Sequence, residues 1–183
     1  TALERSTIIK FGMRVLIHAG AGGVGAFAIQ YCKSRGATVY ATSSARNAEF
    51  VTGLGADEAI DYTTTDFSEV LSNLDLVYDT VGGDTHIKSW KVLKPGGLLV
   101  CLNAAPVSDE KPRHDIKVET PLVGYDRAGT ERIAALIADQ SVQPSVGTVF
   151  SFSDAMDAYR LSETGHARGK VVLRCRIGLL LLT

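Results

Sequence analysis

The chain has little with which to build a disulfide framework or a metal-binding motif. Its three cysteines, Cys32, Cys101 and Cys175, are odd in number and far apart among 183 residues. That usage suits a reducing compartment, and a cytoplasmic protein is expected. No CxxC or HExxH pattern occurs, and His18, His86, His114 and His166 are scattered, so no metal site is expected. Charge of one sign is missing too: 19 Lys and Arg stand against 20 Asp and Glu, for a net charge of −1. Without a basic excess or stripe, the chain is a poor nucleic-acid partner. The longest apolar run, Ile177–Leu182, is far too short to span a bilayer, and no signal-peptide pattern occurs. No Ser–His–Asp arrangement and no distinctive carboxylate pair appears, so catalytic residues stay unassigned. Repeats and low-complexity segments are absent. The sequence does not begin with methionine; Thr1-Ala2-Leu3-Glu4 reads as the tail of a helix, as expected for a portion of a longer protein.

What is present centres on residues 13–35. Val15-Leu16-Ile17 is a short branched apolar run of the kind a buried parallel strand needs. Val24, Phe27, Ala28, Tyr31 and Cys32 recur at helical spacing and predict one apolar stripe. Lys33 and Arg35 fall in the last turn, where the helix dipole favours cations, and Gly36 follows as a stop. Between strand and helix lies Gly20-x-Gly22-x-x-Gly25. Its first glycine allows a tight turn, its second lets a pyrophosphate approach the backbone, and its third lets helix and strand pack closely. The helix N-terminus adds free N–H groups and a partial positive charge. In this strand–turn–helix setting the motif points to dinucleotide binding.

Further strands are expected at Thr38–Thr42, Ala59-Ile60, Leu74–Tyr78 and Leu98–Leu102. Helices are expected between them: one opens at Ser43–Asn47, one is capped by Asp66, and one spans Asp84–Leu93 before the turn Lys94-Pro95-Gly96-Gly97. Val118–Val123 suggests a sixth strand, and Asp126–Gln140 a helix with Ile133, Leu136 and Ile137 inward. This alternation calls for an α/β fold, a doubly wound parallel sheet of the Rossmann NAD(P)-binding type, over residues 1–145. Residues 146–183 form a strand–helix–strand appendage: strand Val146–Phe152, helix Ser153–Ser162 with Ser153 as cap, and half-buried strand Lys170–Arg176. In that last strand Val171, Leu173 and Cys175 alternate against Val172, Arg174 and Arg176.

An acid about twenty positions past the glycine turn would hold an adenosine ribose 2′-hydroxyl. The second strand instead ends Ala41-Thr42-Ser43-Ser44-Ala45-Arg46. Hydroxyls and a guanidinium suit a 2′-phosphate and favour NADP over NAD. The same serines also read as a helix cap and Arg46 as a surface charge. Tyr62 stands either against the adenosine half or as a rim aromatic. Asn103 has amide groups able to meet a carboxamide, or is a turn residue. Asp79 reads as a structural hydrogen-bonding residue and His18 as a satisfied core histidine.

These segments together resemble the zinc-independent quinone oxidoreductase branch of the medium-chain dehydrogenase/reductase superfamily. The resemblance rests on residues 15–25, on Leu54–Tyr62, Asp79-Thr80-Val81-Gly82-Gly83 and Leu93–Gly97, and on Gly165–Leu173. It implies NADP contacts at Ala21, Gly22, Gly23, Val24 and Gly25, and adenosine-phosphate contacts at Ser43, Ser44, Arg46 and Tyr62. Nicotinamide-side contacts are implied at Val81, Leu102 and Asn103, with His166 and Arg168 in a segment returning over the cofactor. It implies hydride transfer from NADPH to a quinone or a small α,β-unsaturated carbonyl. An enoyl reductase and a catalytically silent NADPH-binding domain are the alternatives. Family members carry an N-terminal GroES-like barrel that walls the other side of the site, and no such barrel is expected within these 183 residues. A homodimer is expected from the residues themselves, by pairing of the strand edge Lys170–Arg176 and the apolar tail Ile177–Leu182 of two copies.

Overall fold

The structure is a computed structural model that describes residues 2–102, 113–121, 124 and 126–175. A short helix α1 (Ala2–Ser6) leads into a regular alternation. Strand β1 (Arg14–Ile17) is followed by helix α2 (Gly23–Ser34), and β2 (Thr38–Ser43) by a short 3-10 turn and α3 (Ala48–Gly53). Next come β3 (Glu58–Asp61) and α4 (Phe67–Val70), β4 (Leu74–Asp79) and α5 (Asp84–Val92), then β5 (Leu93–Cys101) and β6 (Lys117–Glu119). The six strands pair in the order β3-β2-β1-β4-β5-β6, every pair parallel. The order reverses between β1 and β4, and in sheets of this kind ligands bind at that switch, outside the carboxyl ends of the strands.

Successive strand residues face opposite sides of the sheet, so each side carries its own core. Val15, Ile17, Val39, Ala41, Leu76 and Val100 pack under Ala28, Ile29 and Cys32 of α2 and Val51 of α3. Leu16, Val77 and Leu99 face Phe67 of α4 and Trp90 of α5. Leu16, Ile17, Leu76 and Leu99 are fully buried, each contributing about 1.5–3 kcal/mol. The expected doubly wound sheet is therefore present, and Asp66 caps α4 as expected, accepting the Ser68 N–H at 3.0 Å.

Several boundaries and faces differ from the sequence reading. The buried face of α2 runs through Gly25, Ala26, Ala28, Ile29, Tyr31 and Cys32, so Ala28, Tyr31 and Cys32 lie inward as expected, while Val24 is 43% exposed. Small residues bring this helix close to the sheet and turn Val24 outward. Strand β5 begins at Leu93, which pairs with Leu74. Lys94–Gly97 form an irregularity within the strand instead of a turn before it. Strand β6 ends at Glu119; Leu122 and Val123 lie outside the described residues.

Helix α6 (Arg127–Ala138) half-buries Ile133 and Leu136, whereas Ile137 is 39% exposed because little is packed against that flank. The appendage forms a second parallel sheet of β7 (Val146–Ser151) and β8 (Lys170–Arg174), joined by α7 (Ala155–Glu163). A 3-10 turn at Phe152–Asp154 delays α7, so Asp154 takes the cap position and Ser153 bonds Ser151 and Asp154. Val171 and Val172 are both half-buried, while Leu173 and Cys175 are exposed; a two-stranded sheet covers neither face fully. The expected apolar run Ile177–Leu182 lies outside the described residues.

The second sheet docks on the first through the glycine turn. Gly22 and Gly169 form an isolated parallel bridge, and the Gly169 N–H donates to the Ala21 carbonyl at 2.8 Å.

Candidate dinucleotide site

Chain direction brings the site together. β1 ends at Ile17, and the turn to α2 is pinned on both sides: the Gly20 N–H donates to Thr42 O at 2.9 Å and the Gly22 N–H to Ala19 O at 3.0 Å. Gly25 lies so close under this turn that a Cβ would fall 2.8 Å from Gly20 Cα. This is the close helix–strand approach expected of the third glycine. At Gly22 the turn is open: a Cβ there meets only Ala19 O, at 3.3 Å. Gly22 stands at the N-cap of α2, where no side chain satisfies the helix amides and the first turn holds no acid. Those N–H groups are free to meet an anion. Ala21 is buried within the turn, Gly23 starts the helix, and Val24 looks outward.

Beside the turn is a cleft of about 100 Å3 whose walls include Gly22, Ser43, Ser44, Arg46, Tyr62 and His166. No carboxylate is among its described lining residues. Ser43 is buried and donates to Ser44 O at 3.2 Å, while Ser44 Oγ accepts from Asn47 Nδ2 at 3.3 Å. Neither serine side chain caps a helix amide, which sets aside the capping alternative. Arg46 is exposed, with one N–H bonded to His166 O at 3.3 Å.

A larger cavity of about 410 Å3 adjoins it, sharing Ala19, Tyr62, Gly165 and His166. Its walls include His18, Thr42, Phe67, Val81 and Lys88. Tyr62, Phe67 and Val81 give it apolar faces, and Asp66, Asp84 and Lys88 give it charged ones. Val81 therefore stands on the same cavity as Tyr62, whereas Leu102 lies half-buried at the end of β5, its N–H on Asp79 O at 2.7 Å. Asn103 lies outside the described residues.

The segment Gly165–Gly169 does come back over the site. Arg168 holds it there: its Nε donates to Asn47 Oδ1 at 3.0 Å, and its guanidinium sits 5.1 Å from the Phe50 ring centre. These bonds make Arg168 a clamp on the loop, and His166 the residue presented to both cavities. The sequence reading missed Lys170, whose side chain crosses the start of α2; its Nζ would lie 3.0 Å from a Cβ on Gly23. The only available signal was its place directly after the returning segment.

Beneath the larger cavity, His18 is buried with ring nitrogens 3.1 Å from Thr42 Oγ1 and 3.0 Å from Ser89 Oγ. Burial pushes its pKa down from 6.5 to about 4, against a smaller upward pull from Asp79. Asp79 is structural, as expected: Oδ1 accepts the Val81 and Gly82 N–H groups, each at 2.9 Å. Asp66 is held at about 2 by its hydrogen bonds to Lys88 and Ser68.

Known proteins resemble this chain in sequence and fold. Residues 54–173 match the family model described as zinc-binding dehydrogenase. The mitochondrial NAD(P)H oxidoreductase RTN4IP1 of Danio rerio is 34% identical over 87% of this chain and 48% of its own length. The chloroplastic NADPH-dependent alkenal/one oxidoreductase of Arabidopsis thaliana is 36% identical over 91% and 42%. The chain thus spans about half the length of the curated relatives it matches. Among solved structures, a quinone oxidoreductase from Coxiella burnetii superposes with TM-score 0.84 at 34% identity, covering 96% of this chain and 57% of that one. An Escherichia coli quinone oxidoreductase complexed with NADPH gives 0.83 at 27% identity, covering 94% and 60%.

Proposed function

The chain belongs to the medium-chain dehydrogenase/reductase superfamily, in its zinc-independent quinone oxidoreductase branch, and from that membership we propose that it is the NADPH-binding half of an oxidoreductase. The parent protein passes hydride from NADPH to a quinone or an α,β-unsaturated carbonyl. The observation that carries the NADPH assignment is the cleft of Ser43, Ser44 and Arg46 beside Gly22, free of carboxylates among its described lining residues. A ribose 2′-phosphate finds hydroxyl donors and a guanidinium there, and a 2′-hydroxyl finds no acceptor carboxylate. The adenine fits beside Tyr62 and Phe67, and the pyrophosphate fits the amides of α2 under Lys170.

The nicotinamide supplies the hydride; the described residues bind and orient the adenosine and phosphate portions. Among the named relatives are an NADPH-dependent alkenal/one oxidoreductase and a quinone oxidoreductase complexed with NADPH, and this supports the substrate class. No described helix is long and apolar enough to cross a membrane, and the three unbridged cysteines fit the proposed reducing, cytoplasmic setting.

Isothermal calorimetry tests the cofactor reading. NADPH is expected to bind roughly tenfold or more tightly than NADH, and Arg46→Ala to remove most of that gap, since a charged hydrogen bond contributes about 1.5–3 kcal/mol. Equal affinities for the two nucleotides in the unmutated chain would overturn the assignment.

A further inference from the structure

Ala19, which opens the glycine turn, stands in the left-handed region at φ +51°, a conformation costly to a residue that carries a Cβ. Two hydrogen bonds hold it there. Its N–H donates to Thr42 Oγ1 at 3.2 Å, and its carbonyl accepts the Gly22 N–H at 3.0 Å, which closes the turn ahead of the first amides of α2. Thr42 Oγ1 lies 3.1 Å from His18 Nδ1, and His18 Nε2 lies 3.0 Å from Ser89 Oγ on α5. His18, Thr42 and Ser89 are all buried. We propose that His18 is a positioning residue for the dinucleotide turn: as the Nε2–H tautomer, it orients the Thr42 hydroxyl that holds Ala19 in its left-handed conformation.

The directions of the hydrogen bonds assign the tautomer. Ser89 donates its one hydroxyl proton to Thr85 O at 2.7 Å, back along its own helix. Toward His18 it can only accept, so the imidazole proton sits on Nε2. Burial favours the neutral ring, which leaves Nδ1 a bare acceptor. The Thr42 hydroxyl donates to it and turns a lone pair to the Ala19 N–H. The bonds thus run head to tail, from the Ala19 amide through Thr42, His18 and Ser89 to the Thr85 carbonyl, and such chains reinforce one another in a buried setting.

The ring itself is fixed from three sides. The His18 N–H donates to Tyr78 O at 3.0 Å, its carbonyl accepts from Thr80 Oγ1 at 3.0 Å, and Phe67 meets its face edge-on with centres 4.6 Å apart. Without the Nδ1 acceptor, the Thr42 hydroxyl is released and Ala19 is free to relax toward negative φ, carrying its carbonyl away from Gly22. The consequence for binding rests on the cofactor reading above and falls on the phosphate bridge common to NADPH and NADH. The shape of the turn itself does not depend on that reading.

Two substitutions divide the roles of the imidazole. His18→Asn keeps an acceptor near the Nδ1 position, whereas His18→Gln keeps a donor near Nε2 and loses that acceptor. By calorimetry, His18→Gln is expected to weaken NADPH and NADH alike, by roughly fivefold to tenfold, and His18→Asn to recover most of the loss. Thr42→Val removes the hydroxyl with little change of shape and should reproduce the loss, which keeps the test decisive if His18→Gln fails to fold. In an Ala19→Gly background the left-handed penalty is gone, so His18→Gln should cost less than about twofold. Amide exchange at Gly22, measured with no nucleotide present, should quicken in His18→Gln and Thr42→Val and stay slow in His18→Asn. This exchange comparison can fail while the cofactor reading stands, and can succeed if that reading falls. Equal effects of His18→Asn and His18→Gln, unchanged exchange in Thr42→Val, or a His18→Gln loss undiminished by Ala19→Gly would show a histidine that serves packing alone and overturn the proposal.

Discussion

His18 shows how one side chain can couple the molecule to pH. Its imidazole titrates near 6.5 when unfolded and near 4 in the fold, where burial opposes the charged form. Between those values the unfolded chain binds the extra proton, so stability falls as pH drops from 6.5 to about 4, by on the order of 3 kcal/mol. Urea midpoints measured across that range should show the decline, and His18→Gln should flatten it. The carboxylates held low by hydrogen bonds, Asp66 among them, add their loss only at more acid pH. The glycines separate binding from folding. Gly22→Val places methyls in the open part of the turn and should abolish NADPH binding with a small change in Tm. Gly25→Ala drives a methyl into the backbone of Ala19 and Gly20 and should cost about 1–3 kcal/mol in a denaturant titration. The glycine turn and the capping Asp66 were legible because their spacing is local, each acting within a few positions. Lys170 was not, because it acquires its place from a helix far away in the chain.

At the scale of elements, the alternation of strand and helix was readable because the central strands β1, β2, β4 and β5 are parallel, largely buried and rich in apolar residues. The reading weakened where packing is one-sided. Ile137 and Leu173 carry the right periodicity yet face outward, because nothing described covers those flanks, and the 3-10 turn before α7 displaced the expected Ser153 cap. The docking of β8 on the turn before α2 has its own measurable signature. Lys170 lies over the start of α2, where the proposed reading puts the pyrophosphate that NADPH and NADH share. Lys170→Ala should therefore weaken both by about the same factor, roughly tenfold, whereas Arg46→Ala penalises NADPH alone. Comparing the two variants by calorimetry separates a phosphate-bridge contact from a 2′-phosphate contact.

For the whole molecule, the apolar surface of the second sheet is the open question that experiment can close. Phe152, Met156 and Tyr159 are each more than half exposed on the β7–α7 side. Exposed apolar side chains grouped in this way mark surfaces that associate. Light scattering is expected to return a homodimer, and a monomer would remove that proposal. Enone or quinone reduction by these residues alone should be negligible, because they supply placement for the cofactor's adenosine half and hydride transfer depends on close placement of both reactants.

The bond between Gly169 and Ala21 also sets a timetable for biosynthesis. The glycine turn is translated early, but the residue that pins its carbonyl follows roughly 150 positions later. At about 5–20 residues per second that delay is roughly 8–30 s. During that interval the nascent sheet holds a phosphate-binding turn with no returning segment over it. On the proposed reading, the growing chain is expected to clasp nucleotide only after the returning segment up to Gly169 has been made.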